Sequence, residues 1–380
     1  MPTGTPGPDT ILGTVFNELY LGLAGNDTLK SSAGFDILDG GAGTDVADYT
    51  SIGTVVTLKA FGILQKGVFT DRLISIEKVV GSSLLGDTVD HSGAVTGGGF
   101  TVTGTTTDLA AGFAVVNGGP LPLPLTINIQ NFENVIGSLY NDTITGNSSA
   151  NVLSGAAGND SLFGLDGNDF LSGGDGDDYL DGGFGFDTIN GGNGNDTTSY
   201  AFYGGPIVAN LTTGVVSFPG NSTLTDTLIS IENLIATNGN DSVTGNSSAN
   251  VLSGAAGNDT IIGGLGSDTL VGGSGNDIFR YFSTAESTSG ALNRDTIADF
   301  LLGTDWLDLS AIDANLSIAG DQAFTFLGSS AAFTNVGQLR YQVAGGNLFL
   351  YGNVDANFAT SEFELQLSGL ASIAATNIIL

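Results

Sequence analysis

From Gly137 to Tyr200, cut every nine residues, the chain reads GSLYNDTIT, GNSSANVLS, GAAGNDSLF, GLDGNDFLS, GGDGDDYLD, GGFGFDTIN, GGNGNDTTS and a closing Tyr. Position one is Gly in every unit. Position six is Asp142, Asn151, Asp160, Asp169, Asp178, Asp187 and Asp196. Position eight is apolar from Ile144 through Leu153, Leu162, Leu171 and Leu180 to Ile189, and Thr198 in the last unit. Glycines at positions one, two and four allow the positive φ that a tight turn needs. The residues after position six suit a short strand whose one apolar side chain faces inward, because strand side chains alternate. Two units then make one coil of an all-β parallel β-roll, a solenoid with a strand on each side. A flexible Gly- and Asn-rich linker has no use for an apolar residue at every ninth position.

The same period opens the chain. From Gly4 the units are GTPGPDTIL, GTVFNELYL, GLAGNDTLK, SSAGFDILD and GGAGTDVAD, with Asp9, Glu18, Asp27, Asp36 and Asp45 at position six. The first two are degenerate, as terminal repeats tend to be. A third block begins near Ala236 and places Asp241, Asn250, Asp259, Asp268 and Asp277 at position six. GNSSANVLSGAAGND occurs at both Gly146 and Gly245, which points to duplication of a whole module. Each block ends on an aromatic, Tyr49, Tyr200 or Tyr281, placed to plug the apolar interior.

Residues eighteen apart stack on successive coils, so the acidic positions form files along both edges of the roll. Stacked carboxylates repel unless a cation lies between them. Carboxylates and turn carbonyls are hard oxygen donors of the kind Ca²⁺ gathers. The candidate metal ligands are all seventeen position-six side chains named above. Carbonyls join them in the second block from Gly155, Gly158, Gly164, Gly167, Gly173, Gly174, Gly176, Gly182, Gly183, Gly185, Gly191, Gly192 and Gly194. In the third they come from Gly254, Gly257, Gly263, Gly264, Gly266, Gly272, Gly273 and Gly275. Counting acidic pairs along the files gives roughly nine strong calcium sites, with Asn151 and Asn250 adding two weaker ones.

Between the blocks the period stops, and the sequence reads as β-strands joined by Gly turns, with Pro120, Pro122 and Pro124 as a stiff link. TDRLISIEKVVGS (70–82) matches TDTLISIENLIAT (225–237), and INIQNFENVIGS (127–138) is a looser copy. Each carries a Glu (Glu77, Glu232, Glu133) just before a strand and is read as a connector back to the roll. The expected organisation is a first roll at 1–49, a β-rich insert at 50–136, a second roll at 137–200 and a β insert at 201–235. A third roll at 236–281 and a β-rich C-terminal cap at 282–380 complete it.

The nonapeptides resemble those of RTX (repeats-in-toxin) proteins, which implies calcium binding, export by a type I secretion apparatus and an extracellular or cell-surface location. DTIADFLLGTDWLDLSAI (295–312) and QAFTFLGSSAAFTNVGQLRYQ (322–342) resemble the C-terminal region of the serralysin metalloproteases. That resemblance implies a cap on the roll and a terminal secretion signal. Glu362-Phe363 stands where relatives carry Asp-Phe, and Asn377 stands for the acid of the terminal motif. The serralysin zinc motif HExxH is missing: the one histidine is His91, read as a surface residue.

Composition limits function. Thirty-nine acidic residues against eight basic ones give a formal charge of −31, which disfavours nucleic acid and anionic membranes. There is no cysteine, no apolar run long enough to span a membrane, and no cleavable signal in MPTGTPGPDTILG. The favoured expectation is a secreted, non-catalytic structural, surface-layer, matrix or adhesive component that folds on calcium. The alternatives are an accessory module of a secreted epimerase or lipase, or a polysaccharide-acting β-helix enzyme. Expected partners are a cell-surface glycan or a second copy, the latter through the edge of the first strand at Thr10, Ile11 and Leu12.

Overall fold

The computed structural model describes residues 1–59, 62–93, 101–119, 125–220, 224–329 and 332–380. The expected proline link at Pro120, Pro122 and Pro124 lies outside the described residues. The chain forms two compact units, Met1–Asp196 and Thr197–Leu380. Apart from two short 3-10 turns at Thr284–Glu286 and Ala375–Asn377, the described regular structure is all β. No helix among the described residues is long and apolar enough to cross a membrane.

Within a block each nonapeptide contributes one strand, paired in parallel with a strand eighteen residues away. Thr10 faces Thr28, Thr28 faces Val46, and Thr143 faces Ser161. Inward side chains at position eight are buried: Ile144, Leu153, Leu162, Leu171, Leu180 and Ile189 in the second block, with Thr198 also buried. Ile11, Tyr20, Leu29, Leu38 and Ala47 form the same row in the first block, and Val243, Leu252, Ile261, Leu270 and Phe279 in the third. Each row is a stack of apolar rungs one side chain thick, so the interior is continuous but narrow.

The strands between the blocks lie in the same sheets as the repeats. In the first unit, one face runs in parallel from Leu19–Leu21 to Ile37–Asp39 and Phe69–Ile74. It then turns antiparallel through Ile63–Lys66 to Val56–Lys59. Parallel pairing resumes at Thr88–Asp90 and continues into Asn134–Ile136 and Val152–Ala157. The opposite face has the same interruption. Val46–Asp48 pairs with Lys78–Val80 and that strand with Leu125–Gln130, after which Phe113–Gly119 and Thr101–Asp108 run antiparallel before Thr143–Thr145. The chain thus steps forward, reverses, and returns to finish the coil it left.

The second unit contains a third meander of this kind, Val208–Asn210, Val215–Ser217 and Thr225–Ile229. Its C-terminal part continues the ladders: Asp295–Ile297 pairs with Thr269–Val271, and Trp306–Asp308 with Ile278–Arg280. An antiparallel meander of Gln338–Ala344, Asn347–Asn353 and Phe363–Leu367 joins the first of these, and terminal Ile378–Ile379 joins the second. Asp299 accepts the N–H groups of Gly272 (2.9 Å) and Gly273 (2.8 Å), closing the last repeat turn as a cap does.

The three tyrosines are buried. Tyr49 donates to Asp71 (2.9 Å), Tyr281 meets Phe363 edge-on at 5.3 Å, and Tyr200 packs on Phe218 at 6.0 Å. The ladders continue past Tyr49, Tyr200 and Tyr281, so all three are rungs inside the solenoid and not end plugs.

The one-residue-thick interior gives a sharp test. Leu171→Ala should cost about 2–5 kcal/mol, because neighbouring coils cannot close the void. Phe170→Ala, one residue away on the outer face, should cost a small fraction of that. Urea unfolding in calcium measures both; equal losses would contradict the assigned faces.

Candidate metal centres

The position-six carboxylates build a ladder of their own. Beyond the first member of each file, Oδ1 accepts the backbone N–H of the position-six residue one coil earlier. Asp9 donates to Asp27 (2.8 Å), Asp27 to Asp45 (2.8 Å), Asp142 to Asp160 (2.7 Å), Asp160 to Asp178 (2.8 Å) and Asp178 to Asp196 (2.9 Å). On the other edge Glu18 donates to Asp36 (3.0 Å), Asn151 to Asp169 (2.8 Å) and Asp169 to Asp187 (2.8 Å). In the second unit Asp241 donates to Asp259 (2.7 Å), Asp259 to Asp277 (2.9 Å) and Asn250 to Asp268 (2.8 Å).

Residues outside the repeats end these files. Asp45 donates to Glu77 (2.8 Å), Asp36 to Asp71 (2.9 Å), Asp268 to Asp295 (2.8 Å) and Asp277 to Asp305 (3.2 Å). Glu133 accepts from Gly86 and Asp87, both at 3.0 Å. Two connector glutamates therefore hold backbone in the place of a missing repeat aspartate. The three connectors share a backbone feature, a left-handed residue two places before the Glu, at Ser75 (φ 47°), Asn131 (φ 58°) and Ser230 (φ 49°). Asp87 escaped the nine-residue count because its unit, from Gly81, has one extra residue.

The second carboxylate oxygen divides the repeats into two kinds. At Asp27, Asp45, Asp160, Asp169, Asp178, Asp259, Asp268 and Asp277, Oδ2 is buried and has no hydrogen-bond partner. In every one of those units position two is left-handed: Leu23, Gly41, Ala156, Leu165, Gly174, Ala255, Gly264 and Gly273, with φ from 69° to 118°. At four units with Thr or Ser at position two that residue turns inward and satisfies the carboxylate; Ser32, in the Asp36 unit, meets the Tyr20 hydroxyl instead. Thr5 bonds Asp9 through N–H (2.5 Å) and hydroxyl (2.8 Å), and Thr14 bonds Glu18 (2.5 and 3.0 Å). Ser138 holds Asp142 and Thr237 holds Asp241 in the same way.

Asn151 and Asn250, read as weak calcium ligands, have other partners. Each Oδ1 accepts a backbone N–H, from Asn147 (2.7 Å) or Asn246 (2.8 Å). Each Nδ2 donates to a connector carbonyl, of Glu133 or Glu232, at 2.7 Å. An amide fits there because the neighbouring group is an acceptor. Asp36 also departs from the expectation: its Oδ2 pairs with the Lys66 ammonium at 2.9 Å.

The donor set around the unpartnered oxygens suits a hard cation. A Cβ at Gly254 would come 2.8 Å from the Gly272 carbonyl and closer still to Asp259 Oδ2. Position-one glycine thus leaves room beside two oxygen donors. The carbonyls of Gly173, Gly182 and Gly191 lie likewise against Gly155, Gly164 and Gly173, beside the carboxylates of Asp160, Asp169 and Asp178. Those of Gly158, Gly167, Gly174, Gly176 and Gly257 instead lie against the turns of the next coil, at Gly176, Gly185, Gly192, Gly194 and Gly275. Among the described residues no three acidic, His or Cys side chains cluster tightly enough to hold a metal by themselves. An ion in a turn would therefore draw on Oδ2, turn carbonyls and water together, the mixture Ca²⁺ accepts.

His91 is a correction to the sequence reading. It is buried, its Nε2 lies 2.8 Å from the Thr107 hydroxyl, and burial pulls its pKa down to about 4. It lines an apolar cavity of about 480 Å³ with Leu58, Leu73, Val89 and Ala114.

Burial raises the carboxyls of Asp160, Asp169, Asp178, Asp259 and Asp268, with stacked neighbours adding to the effect on Asp160 and Asp259. Those two are pushed up to about 7, and Asp169, Asp178 and Asp268 to about 6. A folded-state pKa above the unfolded value near 3.9 favours folding below that value, and the benefit is lost as pH rises through 6 to 7. In chelator the β signal should therefore fall between about pH 5 and pH 7.5; in calcium, which needs the ionised form, that fall should be abolished. Circular dichroism along both series checks it, and parallel curves would contradict it. Asp178→Ala should also raise the calcium midpoint of folding, whereas Asp108→Ala, outside the files, should leave it unchanged.

No curated protein matches the chain. Among solved structures it is similar to two subunits of the Azotobacter vinelandii mannuronan C5-epimerase, AlgE6R3 and AlgE6R2. The first is 29% identical over 39% of this chain and 77% of that one, with a TM-score of 0.29. The second is 28% identical over 45% and 84%, with a TM-score of 0.27. The extracellular lipase LipA of Serratia marcescens is 18% identical over 63% and 40%, with a TM-score of 0.22. The RTX calcium-binding nonapeptide repeat matches at residues 21–49 and 136–171. Residues 157–380, more than half of the chain, match the family described as Peptidase M10 serralysin C terminal, and the chain belongs to that family.

Proposed function

We propose that the chain is a secreted, non-catalytic RTX protein that folds on calcium outside the cell and serves there as a structural, matrix or adhesive component. The observation that carries this reading is the row of buried Oδ2 atoms, each in a turn whose position-two residue is left-handed. A buried carboxylate oxygen without a partner costs several kcal/mol, so a roll containing many of them needs a cation to be stable. Extracellular calcium modules operate at about 10⁻⁴–10⁻³ M, well above cytosolic levels. Binding to the folded state alone then makes folding conditional on export. The ions fall at Asp27, Asp45, Asp160, Asp169, Asp178, Asp259, Asp268 and Asp277, with Asp187 and Asp196 continuing the files. The type I route is proposed from the family resemblance of the tail.

Self-association is part of the same proposal. Thr10–Leu12 pairs on one side with Thr28–Lys30 and has no described strand on the other, while Leu12, Val15 and Phe16 are exposed nearby. The chain should be largely unfolded in chelator and should acquire a β spectrum in millimolar calcium, with light scattering increasing in parallel. A calcium-independent β spectrum at about pH 7.5, above the raised carboxylate range, would overturn the reading, and a folded chain that stays monomeric at high concentration would remove the assembly role.

A further inference from the structure

Lys66 lies on the middle strand of the first meander, Ile63–Lys66, yet its side chain reaches a repeat turn and is buried there. The ammonium touches four oxygens: Asp36 Oδ2 at 2.9 Å, Asp71 Oδ2 at 2.7 Å, Ser31 Oγ at 2.7 Å and the Ser32 carbonyl at 2.6 Å. Asp36 and Asp71 are successive members of one file, joined by the usual backbone bond to Oδ1. The atom that Lys66 contacts on Asp36 is therefore the same Oδ2 that has no protein partner at Asp27, Asp45, Asp160 and their equivalents. Two stacked carboxylates, a hydroxyl and a turn carbonyl around one positive centre form a cation site, with a tethered cation in it.

The second unit contains the same pair of file members. Asp268 donates its N–H to Asp295 Oδ1 at 2.8 Å, as Asp36 does to Asp71, and buried Tyr281 stands where Tyr49 stands. That unit contains no lysine at all. The difference isolates what Lys66 contributes.

We propose that Lys66 is a built-in substitute for a calcium ion. Its ammonium fills the Asp36–Asp71 slot, makes that turn independent of calcium, and keeps a divalent cation out. The proposal rests on the calcium reading above and goes beyond it by naming one acidic pair that does not bind the ion and the residue responsible. It follows that deleting the ammonium converts the slot into a calcium site, because its four oxygens are hard donors and Ca²⁺ completes its shell with water.

Bound calcium per chain, counted by equilibrium dialysis and atomic emission in millimolar free calcium, tests this on the full chain, with circular dichroism as the check on folding. The variants are Lys66→Met and Lys66→Met combined with Asp71→Asn, which removes the ammonium and one of the charges it balances. Lys66→Met should bind one more ion than the parent and need more calcium to fold; the double variant should return to the parent's number. A Lys66→Met chain with the parent's number, or one that does not recover the β spectrum in calcium, overturns the proposal. A parent chain that binds no calcium overturns the reading beneath it, and that is known before any variant is compared.

Discussion

Everything in this fold depends on how a carboxylate is shared between two coils. One oxygen of each repeat aspartate ties down the backbone of the coil before it, and this bond sets the eighteen-residue register. The other oxygen is then fixed, buried, in the turn. The bond that aligns the coils thus creates the charge problem that must be solved for the coils to stack. An unpaired buried charge is a large penalty, whereas a paired one with its remaining lone pairs satisfied is tolerable.

The chain contains four solutions to that problem. Thr or Ser at position two turns its N–H and hydroxyl inward and needs nothing else. Asn in place of Asp removes the charge and gives a donor to a connector carbonyl. A left-handed position two leaves the oxygen to an external cation. Lys66 adds an internal cation at one place. Satisfied turns stand at Thr5 and Thr14, and again at Ser138 and Thr237 where the chain leaves a connector. Coils at the start of each block can therefore form on hydrogen bonds alone, and calcium-dependent coils follow them.

The nine-residue period made the solenoid, its inward row and its register legible without coordinates, because Gly, Asp and one apolar residue recur at fixed places. The serralysin-like tail was legible from its motifs. What the period hid was the role of position two. Leu23, Ala156, Leu165 and Ala255 occupy left-handed backbone that glycine normally takes, so residue type alone gave no warning. The connectors were recognised as copies, but a copy of sequence does not reveal that Phe69–Ile74 returns to pair with Ile37–Asp39, four strands earlier in the chain. His91 was misjudged for a related reason. Its neighbours Asp90 and Ser92 look like surface, yet the second sheet brings Thr107 against it. Long-range pairing of non-repeating segments is set by side chains far apart in the chain, and no local pattern encodes it.

The central claim is that the backbone of position two decides which aspartates hold an ion. Anomalous diffraction from crystals grown in calcium tests it most directly, since it counts and places ions without reference to folding. The account predicts anomalous peaks beside Asp160, Asp169, Asp178, Asp259, Asp268 and Asp277, and none beside Asp142, Asn151, Asp241 or Asn250. Peaks spread evenly over both groups, or confined to the second, would contradict it.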